Sequence, residues 1–106
     1  MPENISLRSC HIIVPGSLVE RIFQGSESAF VSYNVDQNKI LVSPTSNSWF
    51  PKLHQSKEYL IKDKDIHGTK SIGIRELLID EELQEDDREL SFEVNLEKRF
   101  LKLNLE

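Results

Sequence analysis

The feature that most constrains this chain is an order of predicted elements that recurs about 60 residues further along the sequence. In the first half, the apolar run His11–Val14 predicts a short strand that ends at Pro15. A short helix follows, with Leu18, Ile22 and Phe23 on one face. A hairpin completes the unit, and its predicted strands are Phe30–Val35 and Lys39–Val42.

Residues with known capping roles mark both ends of this predicted helix. Ser17 stands three residues before Glu20, which is the spacing of a capping box, where hydroxyl and carboxylate satisfy free backbone N–H groups. Gly25 is a natural stop, because glycine adopts the left-handed conformation without steric cost. We therefore expect a helix that is capped by Ser17 and ends before Gly25.

The second half repeats the plan. Ser71–Ile74 predicts the strand, and Arg75 stands in the place of the proline. Phe92, Val94 and Leu96 alternate with polar residues, so one face of their strand should be buried. The two hairpins differ by about one residue in length, so the register must slip once. The matching helix and hairpin segments are Leu78–Leu83, Leu90–Leu96 and Phe100–Leu105.

These halves predict one domain with an internal duplication. The chain has 106 residues, which is the size of a single compact domain. A domain this small buries only about 60–65% of its unfolded surface, so we also expect a homo-oligomer as a further source of burial. The expected boundaries are repeat 1 at about 5–43, a connecting segment at 44–64 and repeat 2 at about 65–106.

The connecting segment differs in character from the repeats. Pro44–Ser48 is rich in turn residues, and Trp49 and Phe50 follow directly. The aromatic pair either packs within the chain or lies in a subunit interface, where tryptophan is enriched. A short helix is expected over Pro51–Tyr59, with the proline in its first turn.

The sequence lacks the side-chain groupings of an enzyme. His11, His54 and His67 lie on three different predicted elements, so no spacing supports a metal site. Cys10 adjoins His11, but neighbours on a strand point to opposite faces, so a thiolate–imidazole pair is not expected. The four glycines are isolated and form no phosphate-binding loop. We expect a non-enzymatic protein without a cofactor.

Sequence features also limit the compartment. One cysteine excludes an internal disulfide framework. No run approaches the roughly 20 apolar residues that span a bilayer, and Met1–Asn4 lacks the basic-then-apolar pattern of a signal peptide. We therefore expect a soluble, cytoplasmic protein with no membrane partner.

Charge is spread unevenly along the chain. The net charge is −5. Residues 71–106 hold five basic and eleven acidic side chains, so that segment alone carries −6. The acidic stretch Asp80–Glu89 is either a solvated helix face with a turn, or a surface for a basic protein partner.

The order of these segments resembles the AbrB-like swapped-hairpin domains. Two copies in one chain are similar to the MraZ family of cell-division-cluster regulators, and the similarity covers about 90 of the 106 positions. The order of spaced apolar residues carries the resemblance, because no diagnostic string is present. The matching residues of the first half are Ile13–Pro15, Leu18, Phe30–Val31, Asp36, Ile40–Val42, Pro44 and Trp49.

The resemblance implies a fold and a partner. The implied fold is mainly β with short helices (α+β): a pseudo-twofold swapped-hairpin β-barrel formed by two β-α-β-β repeats. The family assembles as dimers or rings and binds double-stranded DNA through basic residues on the loops before each strand. The corresponding residues here are Arg8, His11, Lys64 and Lys70.

The chain departs from the family's signature of an acidic residue, a glycine and an arginine ahead of the strand. The first half has the stretch Arg8–His11 at this place. The second half has Asp65, Gly68 and Lys70, with lysine in place of arginine. Lysine is a point charge and lacks the bidentate fork of arginine.

Two functions therefore stay open. The first is a DNA-binding transcription regulator whose few cations are multiplied by assembly. The second is a non-enzymatic oligomeric assembly module, antitoxin-like or a scaffold, that has lost DNA contact and meets a basic partner through Asp80–Glu89. The sequence fixes neither the DNA target, nor the subunit number, nor whether hairpins exchange within or between chains.

Overall fold

A computed structural model describes residues 4–64, 66 and 68–105. Three short helices occur in the described residues: α1 (Gly16–Ile22), α2 (Phe50–Leu53) and α3 (Arg75–Asp80). The remaining regular structure is strand, so the chain is mainly β. The strands are β1 (Ile5–Arg8), β2 (His11–Val14), β3 (Ser28–Asn34), β4 (Lys39–Pro44), β5 (Lys57–Asp63), β6 (Lys70–Gly73), β7 (Arg88–Leu90), β8 (Phe92–Asn95) and β9 (Phe100–Asn104).

The strands form a nearly closed antiparallel barrel. Their order in the sheet is β7-β1-β2-β6-β5-β3-β4-β9-β8. The two ends of this sheet, β7 and β8, are consecutive in the chain and are separated only by Ser91. One interrupted strand therefore closes the ring, which leaves few free backbone groups at an edge.

The two N-terminal hairpins of the barrel have matching registers. Leu7 of β1 faces Ile12 of β2, and Ile61 of β5 faces Ile72 of β6. Ile12 and Ile72 also face each other where β2 pairs with β6. The first strand of each hairpin pairs with a strand from the other half of the chain, β1 with β7 and β5 with β3. The two halves are thus joined by four sets of backbone pairing rather than by one contact between separate lobes.

The spacing between corresponding residues changes by one along the chain. A displacement of 60 exchanges Ile12 and Ile72. Between β4 and β9, Ile40 faces Leu103 and Val42 faces Leu101, so a displacement of 61 exchanges these strands in register. The slip of one residue agrees with the expectation from the sequence.

The predicted place of this slip was wrong. The hairpin loops are equal in length, since residues 35–38 separate Asn34 from Lys39 and residues 96–99 separate Asn95 from Phe100. The additional residue therefore lies in the acidic connection between α3 and β7.

The start of α1 also differs from the predicted capping box. Pro15 is the N-cap residue, with φ −65° and ψ 150°, and no side chain caps the helix. Its carbonyl accepts hydrogen bonds from the N–H groups of Leu18 and Val19, at 3.0 and 3.1 Å. Ser17 lies one residue inside the helix, because the fixed φ of proline already sets the turn at the preceding position. Gly25 ends this region with φ +88°, as expected.

The core fills the barrel interior from both ends. Leu18 and Ile22 of α1 are buried there, as are Leu77 and Leu78 of α3. The alternation in β8 is weaker than predicted. Phe92 and Val94 are half-buried against this core, and Leu96 falls in the hairpin loop with 54% of its surface exposed. The barrel core also includes Ile5, Leu7, Ile12, Val14, Val31, Ile40, Val42, Ile72, Ile74, Leu101 and Leu103.

Strand β1 was not predicted, and the turn after it changes the environment of Cys10. Ser9 and Cys10 connect Arg8 to His11 and have positive φ angles of 48° and 64°. Positive φ at both central residues is typical of a type I′ hairpin turn. Cys10 therefore lies in a turn and not in the strand of His11, so the alternation argument about this pair does not apply.

Helix α2 is shorter than the predicted helix over Pro51–Tyr59. It ends at Leu53, because His54 is already extended with φ −129° and ψ 129°. The chain then enters β5 at Lys57. None of the helices in the described part of the chain has the length and apolar character needed to cross a membrane.

Candidate functional site

The outer side of one barrel wall is covered. Phe50 of α2 stacks on Phe30 of β3, with 6.3 Å between ring centres. Trp49 meets Phe50 and Phe100 edge-on, at 5.6 and 5.8 Å. These rings and Leu41 form a second small core outside β3, β4 and β9. Phe50 is fully buried by this packing, whereas Trp49 keeps part of its indole exposed.

The opposite wall has an outer side that α2 does not reach, and we name it the open face. It is formed by the outward side chains of β1, β2, β6 and the paired part of β5. Leu7, Ile12 and Ile72 point inward, so their neighbours in each strand point outward. The open face consists of Ser6, Arg8, His11, Ile13, Lys62, Ser71 and Gly73.

Arg8 and His11 lie side by side on the open face. They are directly opposite each other in the β1–β2 hairpin, and both are exposed. The imidazole Nδ1 lies 2.8 Å from the carbonyl oxygen of Ser9. His11 also faces Gly73 of β6, where a Cβ atom would lie 3.3 Å from the ring Nε2. The missing side chain at Gly73 makes room for the imidazole.

Lys62 is a cation of the open face that sequence reasoning missed. It follows Ile61 as Arg8 follows Leu7, and these two apolar residues have the same position in their hairpins. Lys62 is therefore the counterpart of Arg8. The displacement between them is 54 residues, and a search at 60 does not find it. Alignment of the two apolar–basic pairs, Leu7 with Arg8 and Ile61 with Lys62, was the available signal.

The other two predicted DNA contacts lie at the far end of this wall. Lys70 faces Val14, and its ammonium is ion-paired with the carboxylate of Asp63. Lys64 is exposed, and its backbone N–H donates to the carbonyl of Thr69 at 2.9 Å. Because β2 and β6 are antiparallel, this end is opposite to that of Arg8 and His11. The four predicted residues thus form two separate pairs.

Two members of the predicted signature and one histidine need separate mention. Asp65 and His67 lie outside the described residues. Gly68 has φ +85°, a conformation that favours glycine. A Cβ atom there would lie 3.6 Å from the Cα of Gly16, so the turn lies close to the start of α1.

Carboxylates surround the open face without entering it. Asp87 accepts a hydrogen bond from the backbone N–H of Ser9 at 2.8 Å. Glu85 accepts one from the thiol of Cys10 at 3.1 Å, which holds the pKa of that thiol above its usual value. The acidic connection is thus bound to the β1–β2 turn and is only partly the solvated helix and turn expected from the sequence. Two further acids, Glu58 and Glu89, lie on strands flanking the face.

No metal centre occurs in the part of the chain that the structure describes. Within residues 4–64, 66 and 68–105, no three histidine, cysteine or acidic side chains are close enough to hold an ion. His11 and His54 belong to different walls of the barrel, and His54 lies 4.9 Å from the ring centre of Phe50. Aromatic packing, not ligation, therefore accounts for the position of His54.

The open face is thus a surface with two matched cations, and its geometry is the evidence available for a partner. The resemblance to AbrB-like domains stays a prediction that rests on the quoted residues. No family model, no curated protein and no solved structure matches the chain.

Proposed function

We propose that this chain is a non-enzymatic, DNA-binding transcription regulator, and that it contacts the phosphates of duplex DNA through the open face. One observation carries the proposal. Arg8, His11 and Lys62 project from the wall that α2 leaves uncovered, and the outward positions of its paired strands hold no carboxylate. Cations on one uncovered surface are the electrostatic footprint of a phosphate-binding protein.

The barrel is, in this proposal, a duplicated swapped-hairpin fold of two β-α-β-β units. The exchanged pairing supports it, since β1 pairs with β7 and β5 with β3. The equal hairpin loops and the facing residues Ile12 and Ile72 add support, because a twofold axis would pass between them.

The spacing of the two matched cations suits a duplex. β1 and β5 are separated by three strand intervals of about 4.8 Å, so Arg8 and Lys62 are about 14 Å apart across the sheet. The major groove of B-DNA is about 12 Å wide. Two cations at this distance reach phosphates on the two sides of one groove, while His11 lies between them.

The net charge of −5 requires more than one chain on the DNA. A single open face neutralises only a few phosphates, which gives weak binding. A homo-oligomer presents several such faces to one duplex and raises affinity through effective concentration. The side chains that repel DNA most, those of residues 81–87, lie beyond the end of β1 and not on the face itself.

The experiment measures fluorescence anisotropy of a labelled duplex of random sequence, titrated at several salt concentrations. We expect the logarithm of the affinity to fall linearly with the logarithm of salt. Each substitution, Arg8→Ala or Lys62→Ala, should reduce that slope by about 1, which corresponds to one lost phosphate contact. Lys98→Ala is the matched control, because Lys98 is exposed in the hairpin loop of the covered wall.

Three results would contradict the proposal. The first is absence of binding at low salt by protein that is folded and oligomeric. The second is an equal effect of Lys98→Ala, and the third is a slope unchanged by either open-face substitution. Absence of DNA binding would favour the second function, an assembly module that uses the exposed acidic connection at residues 81–87, and titration with a polylysine peptide would then test it.

A further inference from the structure

A cavity of about 530 Å³ opens beside α3, away from the open face. It lies where β3 extends beyond its pairing with β5, since β5 pairs only with the first part of β3. The chain between α2 and β5 forms its second side and α3 its third. Its volume is within the range of small-molecule sites, about 300–1,000 Å³.

Two hydroxyl groups in this cavity lack partners. Ser56 Oγ and Tyr59 Oη are the buried side-chain oxygen or nitrogen atoms without a hydrogen bond in the described part of the chain. Both residues line the same cavity. Buried polar groups are nearly always hydrogen-bonded, so a pair of exceptions at one place indicates a missing partner.

The corresponding position in the other half of the barrel is apolar. Tyr59 precedes Ile61 by two residues, as Ile5 precedes Leu7 in the matching strand. Ile5 is fully buried in the core. The fold therefore accommodates an aliphatic side chain at this position, and packing alone does not require the hydroxyl of Tyr59.

The charges around the cavity are predominantly negative. Asp80 and Glu81 line it from the end of α3, and Glu76 lies one turn before Asp80. Lys57 is the cation on this rim, and its ammonium is 2.6 Å from Glu76 and 3.4 Å from Asp80. Three carboxylates thus face one ammonium. Burial and the Glu76 carboxylate raise the pKa of Tyr59, which keeps its hydroxyl neutral.

We propose that this cavity binds the primary ammonium group of a small aliphatic amine. The oxygens of Ser56 and Tyr59 accept two of its N–H hydrogens, and Asp80 and Glu81 balance its charge. The alkyl chain lies against the apolar lining, which includes Val31, Val35, Leu53 and Leu77. A carboxylate or phosphate ligand would meet the excess of negative charge, and a purely apolar ligand would leave both hydroxyls unpaired.

The test compares three probes of equal chain length, n-butylammonium, 1-butanol and butyrate, by NMR titration of the uniformly labelled full chain. We expect n-butylammonium to shift the amide signals of β3, of residues 54–57 and of α3 in a saturable manner. Its affinity should exceed that of butanol by about ten-fold, which is the contribution of a charged hydrogen-bonding group. Butyrate should produce no saturable shift.

Two variants identify the groups responsible. Tyr59→Phe removes one acceptor and keeps the ring, and Asp80→Asn removes one charge. Each should weaken n-butylammonium binding several-fold, whereas Glu93→Gln, on exposed β8, should not change it. The amide spectrum of each variant also reports whether it is folded. Asp80→Asn provides a second test if Tyr59→Phe fails to fold.

Several outcomes would overturn this proposal. Equal affinity for butanol and butylammonium would show an apolar cavity without charge selection. Binding that persists unchanged in both variants would place the amine elsewhere. Binding of a lysine-containing peptide without binding of any free amine would show a protein-binding groove instead. DNA affinity is measured separately, so failure here does not bear on the open face.

Discussion

Asn47 holds the covering segment to the barrel, and its replacement should cost much of the stability of the chain. It is buried, with 4% of its surface exposed. Its amide Nδ2 donates to the hydroxyl of Ser43 at 2.8 Å and to the carbonyls of Lys98 and Arg99 at 2.9 Å each. One side chain therefore ties the loop before α2 to the β8–β9 loop.

The magnitude follows from these three contacts. A buried acceptor left without a donor costs about 1–3 kcal/mol, and two carbonyls lose theirs in Asn47→Ala. Both bonds are only part-buried, so we expect a loss of about 3 kcal/mol. For a domain of this size, that loss lowers the Tm by about 12 °C.

Asn47→Asp separates hydrogen bonding from side-chain size. At pH 7 the new carboxylate faces two carbonyl oxygens, so we expect a destabilisation at least as large as that of alanine. Those oxygens raise the folded-state pKa of the new group above its unfolded value of about 3.9. Because the folded state then binds more protons, the variant's deficit relative to the parent should shrink as the pH falls through that raised value.

Urea unfolding followed by circular dichroism at pH 7 and pH 4.5 measures both effects. Asn104→Asp is the matched control, because the amide of Asn104 makes one exposed bond to Ser91 at 2.9 Å. We expect it to change the free energy of unfolding by less than about 0.5 kcal/mol. A change for Asn47→Ala that is no larger than this control would refute the reasoning, as would a deficit for Asn47→Asp that grows at low pH.

Three further predictions concern single residues. Tyr59→Phe should raise the free energy of unfolding by about 1 kcal/mol in the absence of ligand, because it removes a buried hydroxyl without a partner, and a fall in urea unfolding would contradict that account. Gly25→Ala should lower the Tm by a few degrees, since alanine at φ +88° costs about 1 kcal/mol although no atom lies within 4 Å of its Cβ. The thiol of Cys10 should react with a disulfide reagent at pH 8 more slowly than in unfolded protein, and Glu85→Gln should accelerate it by lowering the raised pKa; equal rates would be inconsistent with the Glu85 hydrogen bond.

Much of the barrel could be predicted, because its inner face has a regular apolar pattern. The run His11–Val14 and the strands of the first hairpin alternate or are continuously apolar, and the structure confirms them as β2, β3 and β4. Strand β1 was missed for two reasons. It has only four residues, and the turn after it uses Ser9 and Cys10 in place of the asparagine and glycine that mark such turns.

The site was less accessible to sequence reasoning than the fold. Arg8 and His11 are near neighbours in the chain, and the hairpin places them together. Lys62 was missed because its counterpart is 54 residues away, whereas the search used 60. The ion pair of Lys70 with Asp63 depends on which side of β6 faces the rim, and residue order does not specify this contact.

The exchanged strand pairing has a consequence for how such a barrel can change. In a barrel assembled from two identical chains, any substitution appears at both related positions. Here each position is encoded once, so a tyrosine stands at 59 while an isoleucine remains at 5. One end of the molecule is then able to acquire a polar recess while the other keeps the dry packing that maintains the ring.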